Sequence, residues 1–268
     1  MIKDGATATR LAAIASAAGA VIMRHYREGA APRFKDDWTP VTDADEEAEA
    51  LILKALAGDF PGVPVAAEEE VAAGRGCKPC GHFFLVDPLD GTREFLKRNG
   101  EFTVNIAEVR DGIAVAGAVY APAKGRLFFG DSNGAFEIGQ NPDAAFDLPS
   151  ARAIKVRVPA DDGLLAVGSR SHQDKETEAF LARFTIKGIT TAGSSLKFCL
   201  VAAGEADIYA RAGRTMEWDT AAGHAVISAA GGRVTRWDGT PFLYGKPNFE
   251  NGAFVARGAL LAAQYFGR

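Results

Sequence analysis

The run Phe83-Phe84-Leu85-Val86, which breaks off at Asp87-Pro88, constrains the fold more than any other stretch of this chain. Four apolar residues in succession leave no side for water, so the segment reads as a strand buried on both faces. Proline has no N–H to give a sheet, and the strand is expected to end there. Phe102 to Ala107 alternates, Ile113 to Tyr120 is β-branched and small, and Arg126 to Ile138 carries a Ser132-Asn133-Gly134 turn that suits a hairpin. Together these segments predict an antiparallel sheet.

Two helices are expected ahead of it. Leu11, Ile14, Ala15, Ala18, Val21, Ile22 and His25 recur at helical spacing. The same stretch, preceded by Lys3 and Arg10, can be read as a signal-peptide core. Its helical periodicity and its shortness against a membrane span favour a packed, Ala-rich helix instead. Ala44 to Leu56 forms the second, with Thr42 or Asp43 as its cap. Phe60 to Val65 then turns into a short strand ending at Glu68-Glu69-Glu70, and Val71 to His82, rich in Gly and small residues, reads as a mobile loop.

From about Ile154 the rhythm changes. Leu164 to Gly168 and Ile189 to Thr191 read as strands, Lys175 to Phe184 and Ser195 to Ala203 as helices. Trp218 to Ala230 reads as a helix closed by Gly231-Gly232, and Arg233 to Trp237 with Ala253 to Ala256 supply two more strands. A boundary near residue 150 therefore separates an N-terminal α+β lobe, 1–150, from a C-terminal α/β lobe, 151–268. At 268 residues, 47% hydrophobic and 24% charged, the chain can build a sizeable core as one two-lobed body or two small domains.

A net charge of -4 gives no basic face for a nucleic-acid polymer, so none is expected as partner. Three cysteines make no disulfide framework and point to a reducing compartment. The expected setting is the cytoplasm, at most peripheral on the inner face of the membrane, with no transmembrane segment. Oligomeric state is not legible. Cys77-Lys78-Pro79-Cys80 reads as an ordinary loop ahead of a redox or zinc role, because a tetrahedral site lacks its second pair of ligands. Cys199 reads as a buried apolar residue, and Trp218 and Trp237 as packing residues.

The chemistry concentrates in Asp87-Pro88-Leu89-Asp90-Gly91-Thr92, where two carboxylates three residues apart flank a proline turn before a glycine opens a helix. Hard Mg²⁺ takes oxygen ligands, which Asp87, the Leu89 carbonyl and Asp90 can offer. The N–H groups of Gly91 and Thr92 can hold phosphate oxygens. Asp, Pro and Gly also build ordinary turns. What tips the balance is company: Glu68-Glu69 before it, and Trp218-Asp219-Thr220-Ala221-Ala222-Gly223 after it.

In order, these three motifs resemble the inositol monophosphatase superfamily, and the stretch Asp87 to Asn105 is similar to its bacterial 3'(2'),5'-bisphosphate nucleotidase branch. The resemblance spans most of the chain and implies a layered αβαβα fold. It implies Glu68, Asp87, the Leu89 carbonyl, Asp90 and Asp219 as ligands of two or three Mg²⁺, with Li⁺ as inhibitor. Thr92 and Asp45 would work with Glu68 to orient the attacking water in an in-line displacement without a covalent phosphoenzyme. Glu68, Leu89, Asp90, Gly91, Thr92 and Asp219 would contact the substrate. Arg170, His172 and Lys197 are the candidates for a second phosphate and the nucleoside, with Arg211 and Arg214 behind them. The implied substrate is a small phosphorylated nucleotide; the alternatives are an inositol- or sugar-phosphate phosphatase and a non-catalytic phosphonucleotide sensor. Two departures stand out: Ala66-Ala67 precedes the glutamates where relatives carry Ser or Gly, so Glu68 rather than Glu69 rests on its spacing from Pro64, and Arg93 replaces a more familiar lysine.

Overall fold

The computed structural model describes residues 6–29, 31–34, 40–169 and 174–258. Helix α1 (Thr7–Glu28) buries Leu11, Ile14, Ala15, Ala18 and Ile22 along one stripe, and α2 (Asp43–Asp59) is capped by Thr42, whose side chain accepts from Ala44 N–H. Then come β1 (Val65–Ala67) and a short α3 (Glu68–Ala72), so the three glutamates begin a helix and Val71 and Ala72 belong to it rather than to the loop. Strands β2 (His82–Asp90), β3 (Thr103–Arg110), β4 (Ile113–Ala121), β5 (Arg126–Asp131), β6 (Gly134–Gly139) and β7 (Arg152–Ile154) follow, with α4 (Thr92–Leu96) between β2 and β3. Strands β1 to β7 lie side by side in chain order in one seven-stranded sheet, antiparallel except for the β1–β2 pair.

Strand β2 runs through Pro88, contrary to expectation. Asp87 pairs with Asn105 and Asp90 with Thr103, so three steps on β2 match two on β3. That extra residue is a bulge, and a bulged residue has no ladder bond for proline to forfeit.

The second sheet holds β8 (Leu164–Ser169), β9 (Ile186–Ala192), β10 (Ile208–Arg211), β11 (Arg233–Arg236) and β12 (Phe254–Arg257), in the order β9-β8-β10-β12-β11. Its helices are α5 (Lys175–Leu181), α6 (Leu196–Ala202) and α7 (Ala221–Ala229). Central strand β10 was not foreseen. The helix expected from Trp218 starts as one 3₁₀ turn, Glu217–Asp219, and only then becomes α7.

Alternation along β2 and β10 sets the layers. Phe84 and Val86 pack with α1 and α2 through Leu11, Ile22 and Ile52. Phe83 and Leu85 face the opposite way, into a core shared with Phe198, Val226, Tyr209 and Phe254. On β10, Tyr209 joins that middle core, whereas Ile208 and Ala210 join Phe180 of α5 on the outer face. The order is helix, sheet, helix, sheet, helix: the αβαβα arrangement. Helix α7 approaches β4 closely because Gly117 has no side chain; a Cβ there would lie 2.6 Å from the Ala222 carbonyl. Trp218 is buried, Trp237 donates to the Phe254 carbonyl and stacks on Phe180, and the described cysteines are free thiols with Cys199 buried.

Candidate active site

The end of β2, the start of α2, the β1–α3 junction and the 3₁₀ turn before α7 converge, and each brings an acid. Asp87 is buried; Glu68, Asp90 and Asp219 are half-buried. Lost hydration, and then the neighbouring Glu68, Asp90 and Asp219, push the Asp87 carboxyl well above the usual range. Asp219 is raised in the same way, by lost hydration and then by Asp90 and Glu68. Asp90 is raised by lost hydration while the Lys197 ammonium and the donors of Ser195 and Asn105 pull it back. Like charges in one enclosed place raise each other's pKa unless a cation joins them.

The scaffold grips these acids on one side only. Asp87 Oδ1 accepts the Leu89 N–H at 3.0 Å, Asp90 Oδ2 the Ser195 N–H at 2.8 Å and Asp219 Oδ2 the Met216 N–H at 2.8 Å. The second oxygen of each accepts no hydrogen bond among the described residues. Oxygen donors oriented from behind and open in front are what a hard divalent cation requires. Among the described residues no three His, Cys, Asp or Glu side chains form a finished metal cage.

Asp45 and Thr92 meet beside this group. Asp45, third residue of α2, is fixed by Thr42, whose N–H and hydroxyl reach its Oδ2 at 2.8 and 2.7 Å. Its Oδ1 accepts the Thr92 hydroxyl at 3.1 Å, and that hydroxyl also lies 3.3 Å from the Leu89 carbonyl. Burial, with a contribution from Glu68, pushes Asp45 up to about 6. Gly91 joins β2 to α4 at φ 95°, in the left-handed region, and a Cβ there would strike Ser194 Oγ at 2.4 Å.

Lys197, on α6, is 3% exposed and donates to the Ser194 carbonyl at 2.7 Å. Burial lowers it to about 8, with Asp90 acting against that shift. A cleft of about 80 Å³ brings Asp90 and Asp219 together with Lys197, Arg211 and Tyr209. A second, more apolar cleft of about 330 Å³, lined by Val167, Leu181 and Ile189, shares Ser169, Tyr209 and Arg211 with it. Arg211 thus ranks with Lys197, while Arg214 pairs outside with Glu250. Arg170 and His172 lie outside the described residues.

Ser195 and Asn105 were missed by sequence reasoning. Ser195 Oγ lies 2.5 Å from the Asp219 carbonyl it donates to and accepts from Asn105 Nδ2 at 3.0 Å, tying β3, α6 and the Asp219 turn together. A signal existed: Thr103 and Asn105 put polar side chains on the strand face that continues as Ala107 and Val109, and all four are buried.

The Inositol monophosphatase family model matches residues 5–265. The 3'(2'),5'-bisphosphate nucleotidase CysQ of Salmonella typhimurium is 42% identical over 211 residues, 78% of this chain and 81% of that protein. Its Escherichia coli K12 counterpart is 41% identical over the same shares. Among solved structures, CysQ from Bacteroides thetaiotaomicron superposes with TM-score 0.79 at 36% identity, covering 95% of this chain and 97% of that one. An inositol monophosphatase from Anabaena gives 0.72 at 27%, covering 94% and 90%.

Proposed function

The chain belongs to the inositol monophosphatase family, and within it we propose a 3'(2'),5'-bisphosphate nucleotidase that releases phosphate from 3'-phosphoadenosine 5'-phosphate to leave AMP. Its phosphosulfate analogue is a second candidate substrate. The family and the nucleotidase relatives imply dependence on a divalent metal. We assign this role to Mg²⁺, two or three ions, held by Glu68, Asp87, the Leu89 carbonyl, Asp90 and Asp219, and expect Li⁺ to inhibit. The donor set fits, because each of the three aspartates keeps one oxygen clear of the scaffold's hydrogen bonds. When bound, Mg²⁺ supplies the positive charge that activates water and offsets charge on the phosphoryl group.

The chain's own residues do the rest. Thr92 donates its hydroxyl hydrogen bond to Asp45 Oδ1, which leaves a lone pair on the hydroxyl oxygen to accept from a water, and Glu68 helps to orient that water. Asp45 is buried and held by Thr42, so its carboxylate is a fixed, strong hydrogen-bond acceptor for that hydroxyl. The observation that carries the nucleotide assignment is the cleft in which Lys197 and Arg211 stand beside Asp90 and Asp219. A second phosphate needs such cations; an uncharged inositol ring does not. The adjoining apolar cleft supports the same reading, since a nucleobase needs an apolar wall.

The test is phosphate release from 3'-phosphoadenosine 5'-phosphate and from inositol 1-phosphate in Mg²⁺, each with and without Li⁺. Faster, lithium-sensitive turnover of the nucleotide is expected. Equal or faster turnover of inositol phosphate would sink the nucleotidase assignment, and turnover of neither would sink the enzyme.

A further inference from the structure

Glu49 is a buried carboxylate, 3% exposed, that the reaction described above does not use. Its Oε2 accepts the N–H of Glu69 at 2.9 Å and its Oε1 accepts the N–H of Glu70 at 2.9 Å. Those are the first-turn donors of α3, which an N-cap side chain ordinarily satisfies. The N-cap here is Ala67, which has nothing to offer. Glu49 therefore caps α3 from a different helix.

The Glu69 N–H belongs to the peptide plane that begins at the Glu68 carbonyl carbon, so anchoring it fixes ψ of Glu68. Fixing Glu70 as well sets the direction in which α3 leaves β1. Both anchors come from α2, and Asp45 stands one turn earlier on the same helix with its own bond to Thr92. One rigid helix thus holds the Asp45–Thr92 pair and the backbone of Glu68 at a set separation. An acid is an expensive choice at this position, since burial, with Glu69 and Glu70 nearby, raises Glu49 to about 7. Only a carboxylate, however, accepts two N–H groups at once in this geometry; Gln has a single acceptor oxygen.

We infer that Glu49 is a positioning residue for Glu68, acting through the Glu69 and Glu70 peptides to aim that carboxylate at the divalent metal. This rests on the assignment of Glu68 as a metal ligand. Residues that orient ligands from behind typically change metal affinity by about 10–100-fold when replaced.

The test uses Glu49→Gln, with Glu49→Asp, which keeps the charge but is one methylene too short to span both donors. Mn²⁺ affinity is read by electron paramagnetic resonance without substrate, below the unfolding midpoint of each variant in chelator. Mg²⁺ activation and the KM for 3'-phosphoadenosine 5'-phosphate are read alongside. Glu49→Gln is expected to weaken Mn²⁺ binding by about 10-fold or more and to raise the Mg²⁺ activation constant equally, with the substrate KM within about twofold. Should Glu49→Gln fail to fold, Glu49→Asp carries the same expectation at a smaller size. Folded variants that bind Mn²⁺ within twofold of the wild type would leave Glu49 a structural cap and overturn its role alone. A wild-type chain that binds no Mn²⁺ would overturn the metal-site reading and this inference with it.

Discussion

Replacing Ser195 by alanine removes one hydroxyl and should cost the fold measurably. Ser195 is 2% exposed; its Oγ lies 2.5 Å from the Asp219 carbonyl, 3.0 Å from Asn105 Nδ2 and 3.1 Å from Asp90 Oδ2. In Ser195→Ala the Asp219 carbonyl and one N–H of the fully buried Asn105 face a methyl group. A buried polar group left without its partner costs about 1–3 kcal/mol, so two cost roughly 2–6 kcal/mol. For a chain of this size that lowers Tm by roughly 5–15 °C. The Ser195 N–H still donates to Asp90 at 2.8 Å, so Asp90 keeps its main anchor. Urea denaturation in chelator, with the m-value compared, gives the difference without interference from metal binding. A change below about 0.5 kcal/mol at unchanged m would refute the reasoning, because neither partner would then depend on the hydroxyl.

Two other outcomes follow from the same geometry. Lys197→Met should lower kcat/KM for 3'-phosphoadenosine 5'-phosphate by roughly 10–100-fold, the worth of a charged hydrogen bond, and lower it less for adenosine 3'-phosphate, which lacks the second phosphate and loses only the pull of Lys197 on Asp90. Equal losses on both substrates would move Lys197 out of the second-phosphate site. His224, half-buried with its Nδ1 2.9 Å from the Tyr244 hydroxyl, is lowered by burial from 6.5 to about 4. A base lowered in the fold binds its proton more readily when unfolded, so its contribution is whole above pH 6.5 and is lost as pH falls toward 4, about 2–3 kcal/mol in all. Stability of wild type minus that of His224→Gln, measured across that window, should fall with pH; a flat difference would contradict it.

What the sequence disclosed, and what it hid, follows the range of the interactions. The unbroken apolar run of β2 disclosed its burial on both faces, because each residue records only its own environment: Phe84 and Val86 toward α1 and α2, Phe83 and Leu85 toward the middle layer. The course of that strand past Pro88 was hidden, since a bulge depends on the register of the partner strand. Ile208–Arg211 gave no pattern because Tyr209 and its neighbours are buried on opposite faces, and four residues are too few to show a period. The acids stood out because their motifs are local. The groups that hold them did not: Ser195 reaches Asp90 across 105 residues and Glu49 reaches Glu69 across 20. Arg211 gained its place only when β10 came to lie beside β8 and turned it into the cleft with Lys197.

The central claim is that these acids direct a water onto the 3'-phosphorus of a bisphosphorylated nucleotide. Turnover of 3'-phosphoadenosine 5'-phosphate in ¹⁸O-enriched water with Mg²⁺, followed by phosphorus NMR and mass spectrometry, tests it most directly. The account predicts inorganic phosphate carrying one solvent oxygen, and AMP carrying none with its 5'-phosphate intact. Adenosine 3'-phosphate as the product, or solvent oxygen in the nucleoside instead of the phosphate, would contradict it.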